Sequence, residues 1–160
     1  MTSITAQQVA SLRSRTGVGM MAVKKALEEA AGDEEKAIEL LRKRGETQAV
    51  KKGDREQSEG GIFIEASGNK AAIVHLASET DFVARGDDFK AAGQQCAKDA
   101  LAKGADTVKK DAEAAIPELI NKLGENISLV DVQVAEGGTL GAYVHSNSKI
   151  GTIITLDGGT

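Results

Sequence analysis

The sequence predicts an α+β protein: an N-terminal bundle of three short helices, followed by an α+β core module of antiparallel β-hairpins and helices. Three observations carry this reading. Charge is unevenly divided, with 11 Lys and Arg against 8 Asp and Glu from Met1 to Arg55, and 9 against 16 in the remainder. Two modules with unlike surfaces follow from that division. Up to Gly45, apolar residues recur at helical spacing between glycines. Beyond Gly60, short β-prone runs are broken by Gly and Asn, which marks hairpins.

The first helix starts at Thr5, a good N-cap, with Gln8 three residues on to complete a capping box and Ile4 and Val9 placed as a hydrophobic staple. Val9 and Leu12 form its buried stripe, Arg13 and Arg15 suit its last turn, and Gly17 suits the left-handed position after it. In the second helix Met20, Val23, Leu27 and Ala30 point inward, and Gly32 ends it. Asp33 caps the third, Ile38 and Leu41 face inward, and Lys43, Arg44 and Gly45 close it. The expected module is therefore residues 1–45. A polar stretch over residues 46–59 reads as a linker, its first half open to helix.

The core subdomain is expected over residues 60–137. Its first hairpin pairs Ile62–Ala66 with Ala71–Ala77 across a Gly- and Asn-containing turn. A helix from Thr80 to about Gly104 would bury Phe82, Phe89, Cys96 and Ala100, and another would run from Pro117, in its first turn, to Leu123 before Gly124. Ile127–Ala135 alternates as a strand, with Ile127, Leu129 and either Val130 or Val132 inward. Leu140–Val144 and Ile150–Leu156 repeat the first hairpin at an offset of 78 to 79, with a loop one residue longer. Residues 138–160 thus look like the opening hairpin of a second repeat, which stops at Gly158-Gly159-Thr160 as if truncated.

Composition excludes several functions. The chain has 160 residues, 41% hydrophobic and 28% charged, which is a globular composition. Aromatics at 2% and a net charge of −4 disfavour a direct nucleic-acid binder that stacks bases or neutralises phosphates. No apolar run approaches a membrane span and no signal peptide opens the chain, so a cytoplasmic protein without membrane contact is expected. Gly17-Val18-Gly19-Met20-Met21-Ala22 matches a dinucleotide fingerprint by letters, but helices surround it where strands are required. His75 and His145 lack ligand-spaced partners, and the one cysteine, Cys96, suits a small apolar role. The expectation is no catalytic residue, no metal and no cofactor, hence not an enzyme.

Three segments carry a family resemblance. Arg15-Thr16-Gly17-Val18-Gly19-Met20-Met21 continuing to Lys24-Lys25-Ala26-Leu27, then Glu79-Thr80-Asp81-Phe82-Val83-Ala84-Arg85, then Lys122-Leu123-Gly124-Glu125-Asn126-Ile127, resemble motifs of bacterial elongation factor Ts, in family order. The resemblance implies a guanine-nucleotide exchange factor for elongation factor Tu, with a UBA-like (ubiquitin-associated-like) N-terminal bundle that contacts the GTPase domain. It also implies that Asp81 and Phe82, flanked by Thr80 and Val83, push against the partner near its magnesium and phosphate site, supported by His145. Leu123 and Gly124, and Arg13, Met20 and Met21 of the N-terminal module, are implied as further contacts.

The same residues have plainer readings. Asp81 suits a helix N-cap, Phe82 and Met20 suit a core, and Gly124 suits a helix C-cap. The alternative function is a non-catalytic interaction adaptor working through the three-helix module, and oligomers remain open.

Overall fold

The computed structural model describes residues 4–158; Met1–Ser3, Gly159 and Thr160, and with them the end of the expected second repeat, lie outside the described residues. Contacts divide the chain into two units: residues up to Asp54 with Pro117–Gly124, and Arg55–Ile116 with the residues from Glu125 on. Among the described residues no helix is long and apolar enough to cross a membrane.

The first unit begins with α1 (Ala6–Thr16), whose capping box forms as expected: Gln8 N donates to Thr5 Oγ1 at 3.2 Å, and Thr5 N donates to Gln8 Oε1 at 2.9 Å. Gly17 ends the helix at φ 67°, its N–H donating to Arg13 O at 2.8 Å. With α2 (Met20–Glu29) and the next helix, α1 encloses a core of Val9, Leu12, Val18, Val23, Ala26, Leu27, Ala30, Ala37 and Leu41, against which Ile4 packs. Met20 is a correction: it lies 53% exposed, because it is the first residue of α2 and the inward stripe begins only at Val23.

The third helix, α3 (Glu34–Lys52), is capped by Asp33, whose Oδ1 accepts from Lys36 N at 3.1 Å. It does not close at Gly45 and continues through the first half of the expected linker. Gly45 instead permits a close approach: a Cβ there would lie 2.8 Å from the carbonyl oxygen of Pro117. Asn121 fastens the same contact, donating from Nδ2 to Leu41 O and accepting at Oδ1 from Gln48 Nε2.

Pro117 also departs from expectation. It sits inside α6 (Ala105–Leu123), not in a first turn. The preceding Ala- and Lys-rich residues are strong helix formers that bury Val108 and Ala112, and they carry the helix into the proline despite its missing N–H.

The second unit is built on an antiparallel sheet of β1 (Glu59–Ser67), β2 (Lys70–Ser78) and β3 (Ile127–Glu136), in that order. Phe63 pairs with Val74 and Gly61 with Leu76, so these four share one face. That face is covered by α5 (Asp87–Lys103), which buries Phe89, Gly93, Ala97 and Ala100. The expected single helix from Thr80 is in fact two. Gly86, at ψ 146°, separates α5 from the single turn α4 (Asp81–Arg85), so Phe82 leaves the buried stripe and Cys96 lies only half-buried on its edge.

A bulge decides the phase of β3. Asp131 pairs with His75 but Leu129 with Leu76, which skips Val130; Val130 is exposed and Val132 is buried.

The second hairpin, β4 (Thr139–Val144) and β5 (Gly151–Leu156), forms its own two-stranded sheet. Its loop is His145–Ile150, against Gly68-Asn69 in the first hairpin, so it is longer than the sequence comparison predicts. Hydrogen bonds from His145 N to Ile150 O and from Ser148 N to His145 O, both 2.8 Å, fold the extra residues into a turn. The hairpin packs on β1: Gly151 abuts Ile62, Ile62 N donates to Ser148 O at 2.7 Å, and Lys149 pairs with Glu59 at 2.7 Å.

Candidate functional site

The centre of the site is the turn α4. Thr80 is its N-cap, in extended conformation, and its Oγ1 accepts from Val83 N at 3.4 Å. Asp81 is therefore not the cap. It is the first helical residue, and its carboxylate pairs with Arg85 at 3.2 Å one turn on. Phe82 projects outward, 84% exposed, and Val83 is half-buried. The core reading of Phe82 is thereby excluded, since Phe63 and Phe89 fill the aromatic core with ring centroids 6.1 Å apart.

A turn of five residues cannot hold itself together, because helix nucleation is unfavourable. Packing against β1, β2 and α5 and polar contacts at its entry do so. Thr80 N donates to Glu125 Oε2 at 3.0 Å and Thr80 Oγ1 to Glu125 Oε1 at 2.6 Å. Glu79 Oε1 accepts from Asn126 N at 2.6 Å and faces Arg55 at 3.4 Å, while buried Asn126 donates from Nδ2 to Arg55 O at 3.0 Å. Ser78, fully buried, donates from Oγ to Thr80 O at 3.2 Å. The segments Glu79–Arg85 and Lys122–Ile127, separate in sequence, are thus joined through Glu79, Thr80, Glu125 and Asn126. None of the joining acids was legible as a functional residue. The available signal was that both lie inside motifs whose other members were already singled out.

Leu123, half-buried, ends α6, and Gly124 follows at φ 82°, donating from N to Ile120 O at 2.8 Å. The C-cap reading of Gly124 is correct. Lys52 Nζ donates to Gly124 O.

A groove of about 490 Å³ runs over β1 beside this turn, lined by Ala84 of α4, Ile62, Ile64 and Lys90, and by Val144 and Ser148 of the second hairpin. The structure therefore brings the helix of Phe82 and the strand end that precedes His145 to one groove. His145 is exposed, with Nδ1 held 2.7 Å from the Tyr143 hydroxyl. Arg13, Met20 and Met21 belong to the first unit, where all three are exposed, Met21 at 75%.

The other candidate chemistries do not gather. Gly17 and Gly19 lie between two helices, with no strand before them among the described residues. Burial, and then the charge of Asp99, push the Cys96 thiol up, which opposes nucleophilic use. Asp131, opposite His75, is held below the usual carboxylate range, chiefly by its hydrogen bond from Gln133.

Comparison with known proteins agrees with the three motifs. The family described as Elongation factor TS matches residues 79–160, which include the α4 turn, Glu125 and the second hairpin. The chain is 46% identical to an elongation factor Ts of Deinococcus radiodurans over 96% of its own length and 61% of the relative's. It is 48% identical to one of Aeromonas salmonicida over 100% and 58%, and 42% identical to one of Chlorobium phaeobacteroides over 99% and 61%. It spans about three fifths of the length of these relatives. With half its residues matched by the family pattern and nearly all aligned to such relatives, the chain belongs to the elongation factor Ts family.

Proposed function

We propose that this chain acts as a guanine-nucleotide exchange factor: it binds elongation factor Tu in the cytoplasm and promotes GDP release by displacing the partner's magnesium and phosphate site. The observation that supports it most is Phe82, a large aromatic held 84% exposed on a polar-anchored turn within the family motif. Exposed aromatics set on a fixed support are the residues from which binding hot spots are made.

Such a function needs no acid, base or nucleophile. A factor that binds the nucleotide-free GTPase more tightly than the loaded form must, by reciprocity, weaken nucleotide binding by the same factor. Each tenfold weakening requires about 1.4 kcal/mol of contacts made in one state only. Phe82, entering space that the closed site occupies, supplies part of this. Asp81, Thr80 and Val83 contribute from the same turn and His145 from the second hairpin, and Leu123, Gly124, Arg13, Met20 and Met21 provide further contact. The exposed methionines suit an adaptable surface. The three-helix bundle takes the UBA-like role that the resemblance implies.

The test is release of fluorescent GDP from elongation factor Tu on adding this chain. Acceleration that Phe82→Ala reduces supports the reading. Binding without acceleration would sink it and leave an adaptor.

A further inference from the structure

We infer that Glu125 is a positioning residue for exchange: through Thr80 it holds the α4 turn in the orientation that presents Phe82. The inference rests on the exchange reading above, and its structural part can be checked without the partner. Glu125 reaches the turn at its one weak point. The N-cap residue Thr80 presents a hydroxyl lone pair to Val83 N, 3.4 Å away, and so satisfies a donor that the turn leaves open. Its hydroxyl proton is claimed by Glu125 Oε1 at 2.6 Å, which leaves the lone pairs directed at the turn. Its backbone N–H is claimed by Glu125 Oε2 at 3.0 Å, which fixes the extended conformation, φ −124° and ψ 156°, from which the turn starts. Both bonds end on one carboxylate, and bonds to an ionised acceptor are about twice as strong as neutral ones.

The turn also packs against β1, β2 and α5, with Val83 and Ala84 half-buried, but its polar contacts are concentrated at its entry. No residue of α4 is buried, and its one ion pair, Asp81–Arg85, is internal and exposed. What the packing against the sheet and α5 leaves to be fixed is the entry of the turn, and there Thr80 and Glu125 set the direction in which Phe82 projects. Glu125 is itself placed by Asn126 after it, whose N–H is bound by Glu79 at 2.6 Å. Without Glu125, Phe82 would remain present and exposed but would sample many orientations. Fixing it would then have to occur on binding, which weakens the complex.

Three full-length variants test this: Glu125→Ala, Glu125→Gln and Glu125→Ala combined with Phe82→Ala. Glu125→Gln retains an oxygen for the Thr80 amide and an N–H for the hydroxyl, so it should stay within about threefold of the parent in GDP release. Glu125→Ala should lose about tenfold, the low end of the scale of a single charge-assisted bond, because the turn keeps its packing on the sheet. On the Phe82→Ala background the same change should have no further effect. Amide hydrogen exchange at Val83 and Ala84 should accelerate about tenfold in Glu125→Ala, with β2 and α5 unchanged. Unchanged exchange at these amides overturns the positioning role whatever the GDP assay shows. Equal acceleration throughout the second unit, or an undiminished loss on the Phe82→Ala background, assigns Glu125 to general stability and overturns it too. Failure of the unaltered chain to release GDP, with the local amide effect present, refutes the exchange reading alone.

Discussion

Helices α4 and α5 are separated by Gly86 alone, and each carries a phenylalanine near its start, yet Phe89 is fully buried and Phe82 is 84% exposed. The difference lies in what stands opposite each residue. Phe89 meets a prepared apolar surface, with Phe63 tilted against it and Gly93 leaving room for the Phe63 ring. The α4 turn is held by hydrogen bonds at its entry, and Phe82 takes no part in them. One phenylalanine is thus a structural investment of α5, while the other is available for a partner. Two substitutions of the same kind should separate these roles.

Phe89→Ala should produce the largest effect. Removing a fully buried ring leaves a cavity under the sheet and should cost about 3–5 kcal/mol, read from urea unfolding of the full chain. A loss below about 1 kcal/mol would mean that Phe63 collapses into the space and that the contrast with Phe82 is overstated. Gly93→Ala comes next. A new Cβ would lie 2.2 Å from Phe63 Cε2, so the ring must shift within a filled core. Overpacking of this kind costs about 1–3 kcal/mol. Ala has the better helix propensity by about 1 kcal/mol, which works in the opposite direction and sets the lower end. A stabilised Gly93→Ala protein would show that the Phe63 ring is free to move.

How far this contrast could be read from sequence depends on which forces are local. The caps at Thr5, Asp33 and Gly17 and the turn at Gly68-Asn69 were legible, because each depends on residues a few positions apart. The α+β class was legible for the same reason. The heptad spacing of Phe82 and Phe89 misled because periodicity reports a shared face only while the helix continues, and Gly86 breaks it. Gly45 and Pro117 misled as punctuation because each is explained by the other, 72 positions away, in a close backbone contact. The phase of β3 required the bulge at Val130, which no alternation pattern announces. At the site, motif resemblance located Phe82 and Asp81, but it could not show that Glu125 holds Thr80, since that contact joins residues 45 apart in sequence.

The smallest expected effect on stability is also the most discriminating. Phe82→Ala should change unfolding free energy by no more than about 0.5 kcal/mol, as for an ordinary surface site, because the side chain has little covering to lose. An exposed apolar ring gains nothing from the fold, and Ala is the better helix former, so a slight stabilisation is the expected sign. The same variant should show the largest loss in GDP release from elongation factor Tu among substitutions in α4. The pairing of outcomes carries the argument: Phe89→Ala falls in stability, whereas Phe82→Ala falls in exchange at undiminished stability. If Phe82→Ala unfolds at markedly lower urea, the ring contributes to folding and its exposure is not kept for a partner. If it is stable and exchanges GDP at the parent rate, the contrast between the two helices is one of packing alone, and the contact with the GTPase must be sought on the second hairpin, at Tyr143 and His145.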